Sequence, residues 1–126
     1  MIELNHTIIP ANDKHESAEF YSRILGVENK GELYHFTVVQ INERLSLDFA
    51  NSESFKSMHY AFKVDDQKFG EIFSRIKEES LTYGSGPSTS KNGEINNWNG
   101  GKGVYFHDPN GHLLELLTQN YTGNEN

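Results

Sequence analysis

The sequence predicts an α+β chain built from two copies of a β-α-β-β-β module, and three observations carry that reading. Alternating strand-like segments and amphipathic helices run in the order β-α-β-β-β to about residue 50, and the order starts again near residue 58. Glu19-Phe20-Tyr21-Ser22-Arg23-Ile24 matches Glu71-Ile72-Phe73-Ser74-Arg75-Ile76 at an offset of 52 residues. Both units open with a strand histidine (His6, His59) and close with a strand carboxylate (Asp48 in Leu47-Asp48-Phe49, Glu115 in Leu114-Glu115-Leu116).

Each element has a local cause. Residues 3–9 read as a strand with Leu4, His6 and Ile8 on one face, ended by Pro10. Asn12 or Asp13 caps a helix that carries Ala18, Phe20, Tyr21, Ile24 and Leu25 at helical spacing, and Gly26 stops it. Strands follow at about 27–30, 33–41 and 44–50, the last two joined by a turn at Asn42-Glu43. The first module is thus 1–52, and the polar stretch 53–57 is a linker. In the second module, 58–121, a strand at 58–64 leads to the cap Asp65-Asp66 and a helix with Phe69, Ile72, Phe73 and Ile76. Leu81–Gly84 is a short strand and 84–102, rich in Gly, Ser and Asn, a long loop. Val104–Phe106, the turn Asp108-Pro109-Asn110-Gly111 and the strand Leu113–Leu117 complete the module, with His107 and His112 as surface residues flanking the turn. Residues 122–126 are a loose tail.

Composition excludes several classes. A net charge of −7 with no basic cluster argues against nucleic acid and anionic membrane as partners. No apolar run approaches the roughly 20 residues that span a bilayer. The absence of cysteine excludes disulfides and thiolate metal sites and fits a reducing compartment. With no secretory signal at the N-terminus, the expected location is cytoplasmic.

Glu115 is the residue that asks for an explanation. It interrupts an apolar strand, and a carboxylate buried without a partner costs several kcal/mol or takes up a proton. It therefore needs a cation, a metal or an opening to water. In a β-α-β-β-β unit the first and last strands can be neighbours, so His6, His59 and Glu115 can converge from three strands. Two imidazoles and one carboxylate with open positions suit a divalent ion such as Zn, Ni, Mn or Fe.

LNHTIIP, the helix ending in FYSRILG, MHYAFKV and above all YFHDPNGHLLEL resemble signature segments of the vicinal oxygen chelate superfamily. That superfamily contains glyoxalase I, the fosfomycin-resistance thiol transferases, the extradiol dioxygenases and the bleomycin-resistance proteins. The resemblance covers about residues 3–120. It implies two paired β-α-β-β-β modules, each a curled mixed sheet, around a U-shaped metal cleft, and a homodimer, with modules paired within one chain or, as in glyoxalase I and the fosfomycin enzymes, exchanged between subunits. It places His6, His59 and Glu115 at the shared ligand positions. It sets Asp48, or in another alignment Ser46, at the fourth ligand position of glyoxalase I. It matches Tyr105 to a tyrosine of the fosfomycin enzymes and puts Ile8 where they carry a substrate-facing threonine.

The function expected from this resemblance is a metal-dependent enzyme that chelates a small oxygen-rich substrate and stabilises an oxyanion, as a lyase or isomerase or a detoxifying transferase. A metal-free sequestration protein of the bleomycin-resistance kind and an Fe(II) ring-cleaving dioxygenase are the alternatives. Tyr105 and Asp48 are the candidate catalytic groups. His35, facing the cleft or water, and Trp98 and Lys102, in a loop that is a lid or an inert excursion, are the candidate substrate contacts.

Overall fold

The computed structural model describes residues 1–121; the expected tail 122–126 lies outside the described residues. The chain divides into two compact units, Met1–Lys56 and Ser57 onward, each with four strands and one α-helix among the described residues. No helix among the described residues is long and apolar enough to cross a membrane.

In the first unit the strands β1 (His6–Ala11), β2 (Glu28–Leu33), β3 (Phe36–Gln40) and β4 (Ser46–Asn51) form a sheet of order β1-β4-β3-β2. β1 runs parallel to β4, and the other pairs are antiparallel. The helix α1 (Lys14–Leu25) returns the chain from β1. The side chain of Asp13 accepts hydrogen bonds from the amides of His15 and Glu16, and Gly26 closes the helix at φ 72°, a left-handed position that glycine reaches without strain. α1 buries Ala18, Tyr21 and Ile24 over the sheet face that buries Ile9, Leu47, Phe49 and Val39. Tyr21 meets Phe49 with ring centres 4.8 Å apart.

Three expectations shift here. β1 continues through Pro10 to Ala11 rather than ending before the proline. An edge strand tolerates a residue with no N–H because one side of its backbone has no ladder to complete. The segment 33–41 is not one strand: Leu33 ends β2, Tyr34 has φ 56°, and β3 starts at Phe36. His35 therefore stands at a hairpin tip, where its carbonyl accepts a hydrogen bond from Lys14 Nζ at 3.0 Å. The same ammonium pairs with Glu32 at 2.6 Å and lowers that carboxyl's pKa, tying the hairpin to the start of α1. The third shift is at Asn42, whose side-chain oxygen accepts from the amides of Arg44 and Leu45, so the loop between β3 and β4 spans more than the two residues expected.

The second unit repeats the plan. The strands β5 (His59–Lys63), β6 (Tyr83–Gly84), β7 (Gly103–His107) and β8 (Leu113–Leu117) lie in the order β5-β8-β7-β6, with β5 parallel to β8. The helix α2 (Asp66–Glu78) is capped by Asp65, whose side chain accepts from Lys68 N. α2 buries Phe69, Ile72 and Ile76, and the sheet buries Val104, Phe106, Leu114 and Leu116 on one face. Phe73 of α2 packs edge-on against Tyr83 of β6, ring centres 5.1 Å apart. The long loop from Ser85 to Lys102 is held by its own polar side chains: Asn92 bonds to Ser85, and Asn96 Nδ2 donates to the Ser85 carbonyl.

That loop folds back so closely on β6 that Gly84 has no room for a side chain. A Cβ there would stand 1.9 Å from the Thr89 carbonyl oxygen and 2.4 Å from Ser90 C, both backbone atoms. Gly84→Ala is expected to cost about 1–3 kcal/mol of stability, as at other overpacked sites, read as a lower urea midpoint at an unchanged slope. An unchanged midpoint would show that the loop yields freely.

Candidate metal centre

Strand parity sorts each sheet into two faces. In the second unit, β5 and β8 pair His59 with Leu113 and Ala61 with Glu115, and β7 pairs Tyr105 with Glu115. His59, Glu115 and Tyr105 therefore share one face, opposite the buried aliphatic face. Glu115 is 1% exposed, so it is no wet strand residue; the opening to water is closed off and it needs a partner. His59 is that partner, with Nε2 3.0 Å from Glu115 Oε1.

Tyr105 lies beside both. Its ring stacks on His59 with centres 5.9 Å apart. Its pKa is pushed far above the ordinary phenol range, first by burial, then by the negative charge of Glu115 and a hydrogen bond to it. The hydroxyl therefore keeps its proton at any physiological pH. Tyr121, which sequence reading passed over, joins the group: the Glu115 charge is the main cause of its own raised pKa. No strand pattern reaches Tyr121, and only the return of the chain past β8 brings it to Glu115. Trp98 closes the aromatic set, edge-on to Tyr105 at 5.9 Å and partly exposed. Lys102 is exposed just ahead of β7, its backbone bonded in both directions to Thr118.

In the first unit, β1 and β4 pair His6 with Ser46 and Ile8 with Asp48. The matching pairs in the second unit are His59 with Leu113 and Ala61 with Glu115. Asp48, not Ser46, is thus the topological counterpart of Glu115. Ser46 Oγ donates to Asp48 Oδ1 at 2.9 Å, and His6 Nδ1 lies 2.7 Å from Asn5 Oδ1. His6, Ser46 and Asp48, with Gln40, Phe36 and Tyr34, line a cavity of about 530 Å³ on this face. His35 does not line it.

Among the described residues, no group of three or more His, Cys, Asp or Glu side chains is gathered as a metal site. The pair His59–Glu115 nonetheless has the chemistry of half a site. An imidazole nitrogen and a carboxylate oxygen are both natural metal ligands, and here they stand 3.0 Å apart on one face. A buried carboxylate also favours a cation beside it.

A β-α-β-β-β duplication with a histidine and a carboxylate on paired strands defines a class of small-molecule enzymes and binders. The family profile of the Glyoxalase/Bleomycin resistance protein/Dioxygenase superfamily matches residues 3–116, and the chain belongs to that superfamily. The chain is 46% identical to a solved structure of oxidase ChaP-H2, covering 95% of each chain with a TM-score of 0.91. It is 45% identical to oxidase ChaP-H1, covering 95% of this chain and 98% of the other, with a TM-score of 0.90. It is 28% identical to the metallothiol transferase FosB of Staphylococcus epidermidis over 123 residues, 91% of this chain and 80% of that protein.

The raised pKa of Tyr105 has a removable cause. A negative neighbour disfavours the phenolate, so Glu115→Gln is expected to lower the Tyr105 pKa while burial still holds it above 10. Alkaline titration of tyrosinate absorbance in the metal-free protein reads this. Superimposable curves for wild type and variant would show that the two groups do not interact.

Proposed function

We propose that this chain is a metal-dependent enzyme in which His6, His59 and Glu115 hold a divalent ion and a small substrate chelates it through two neighbouring oxygens. The single observation that carries the reading is the buried Glu115 carboxylate 3.0 Å from the His59 ring, on the sheet face opposite the aliphatic layer. His59 and Glu115 come from one module and His6 from the other, so each module supplies part of the ligand set. The assembly proposed with it is a homodimer in which modules of two chains complete each other's sites, with pairing inside one chain as the alternative.

Of the reactions open to the superfamily, we favour oxygen chemistry over lyase or transferase chemistry. The likeness to two proteins called oxidases, at 46% and 45% identity over nearly the whole chain, outweighs 28% to a thiol transferase. Ile8 also speaks against the transferase. It is exposed on the His6 face, and its aliphatic side chain offers no hydrogen bond to a substrate.

The bound ion would supply Lewis acidity, drawing electron density from the chelated substrate oxygens. The chain's own groups do the rest. Tyr105, held protonated by burial and by Glu115, gives its one proton to Glu115, and turning that hydroxyl from Glu115 to a substrate oxygen lets it meet negative charge that develops there. Trp98 and Tyr105 form an aromatic wall that orients a flat or apolar part of the substrate and keeps water from it. Asp48, with Ser46 donating to it, offers a second acceptor, able to take a proton from a substrate hydroxyl.

His6→Ala, His59→Ala and Glu115→Ala should each lose most of the metal by elemental analysis; full occupancy would refute the ligand assignment. In wild type, metal at a hundred times its dissociation constant should add about 2.7 kcal/mol of stability. No thermal shift with Fe, Mn, Ni or Zn would favour metal-free sequestration. Mixed dimers of His6→Ala and Glu115→Ala chains distinguish the two assemblies: exchanged modules restore one intact site, pairing within a chain restores none. Oxygen uptake by the Fe(II)-loaded protein over a panel of catechols and α-hydroxyketones tests the chemistry. Thiol consumption in its place would assign the transferase.

A further inference from the structure

His112 was expected at the surface and is wholly buried. It lies on β8's inward side, ahead of Leu114 and Leu116, while Glu115 points from the opposite face of the same strand. Asp108 sets the turn that delivers it: Asp108 Oδ1 accepts from the amides of Asn110 (2.8 Å) and His112 (2.9 Å). The backbone of Asp108 and His112 closes the same turn, N to O at 3.0 Å.

The ring then accepts a hydrogen bond from the Met58 amide at Nδ1, 3.0 Å away. An accepting Nδ1 leaves the ring proton on Nε2. The Met58 carbonyl in turn accepts from Leu113 N at 2.8 Å, and Ser57 Oγ donates to the Gly111 carbonyl at 2.7 Å. Three successive residues of the turn and strand thus hold the two residues immediately before His59. The ring also meets Tyr60, the residue after His59, edge-on at 5.8 Å.

This latch matters because β5 is an edge strand. Among the described residues its one neighbour in the sheet is β8, so the start of β5 has no second ladder there to fix it. In the first unit Ser46 N donates to the Asn5 carbonyl as Leu113 N does to Met58. The residue that corresponds to His112 there is Leu45, whose side chain has no acceptor.

We propose that His112 is a positioning residue for His59: by fixing both peptide groups around Met58 it aims the His59 ring at Glu115 and so pre-forms the metal pair. The inference rests on the reading of His59 and Glu115 as metal ligands. An asparagine side chain can present an oxygen near the place of Nδ1, whereas a glutamine oxygen lies further out, near Nε2, and a leucine has no acceptor.

The test is Co(II) titration of the full-length protein, followed by its visible absorption, with the thermal midpoint of each metal-free form measured alongside. Removal of groups that orient a ligand typically costs 10–100-fold in metal affinity, so His112→Leu and His112→Gln should weaken Co(II) binding at least about tenfold and alter its spectrum, while His112→Asn stays within about threefold of wild type. Affinity and spectrum equal to wild type in His112→Leu, or equal affinities for His112→Asn and His112→Gln, would overturn the proposal. If His112→Leu does not fold, the Asn and Gln pair decides. A wild-type protein that binds no Co(II) would instead sink the ligand reading, and this inference with it.

Discussion

A carboxylate with 1% of its surface open to water must be held by something, and the second module is built around how Glu115 is held. An isolated ionised group would pay a desolvation cost of several kcal/mol in such a place. The parallel pairing of β5 with β8 brings the His59 ring to it, and antiparallel β7 brings the Tyr105 hydroxyl. The hydroxyl keeps its proton because burial first, and then the carboxylate beside it, disfavours phenolate. One buried charge thereby orders an imidazole, a phenol and the indole that leans on the phenol.

The rest of the module keeps this arrangement from relaxing. The turn at Asp108–His112 is closed by its own carboxylate and latched to the residues ahead of His59, so the edge strand starts at a defined height and rotation. Behind the sheet, Val104, Phe106, Leu114 and Leu116 pack as one apolar layer. A one-residue slip of β8 would bring Leu114 to the polar face and send Glu115 into that layer, which makes the register costly to change. The first module has the same plan with softer chemistry: Asp48 replaces Glu115, Ser46 bonds to it, and Leu45 stands where the second module has its latch. Duplication preserved the strand scheme and let the two polar faces diverge.

Much of this was legible in the chain. Periodicity, Asp13 and Asp65 as caps, Gly26 as a stop and the Asp108–Gly111 turn place both helices and most strand cores, because these signals act over a few residues. The boundaries that moved did so where tertiary context overrides local preference. Pro10 survives inside β1 because β1 is an edge. Tyr34 and His35 leave the strand because Lys14, on another element, holds the hairpin tip.

By itself the sequence determined the duplicated α+β plan, the superfamily, and the choice of His6, His59 and Glu115 as residues out of place in apolar strands. The plan and the three residues follow from alternation and repeat, which are properties of order along the chain, and the superfamily from the resemblance of its motif segments. Only the tertiary structure decided that His59 meets Glu115, that Tyr121 belongs to the group, and that His112 is inside. Those depend on register between strands far apart in sequence, and a register is chosen by the packing of whole faces rather than by any residue and its neighbours.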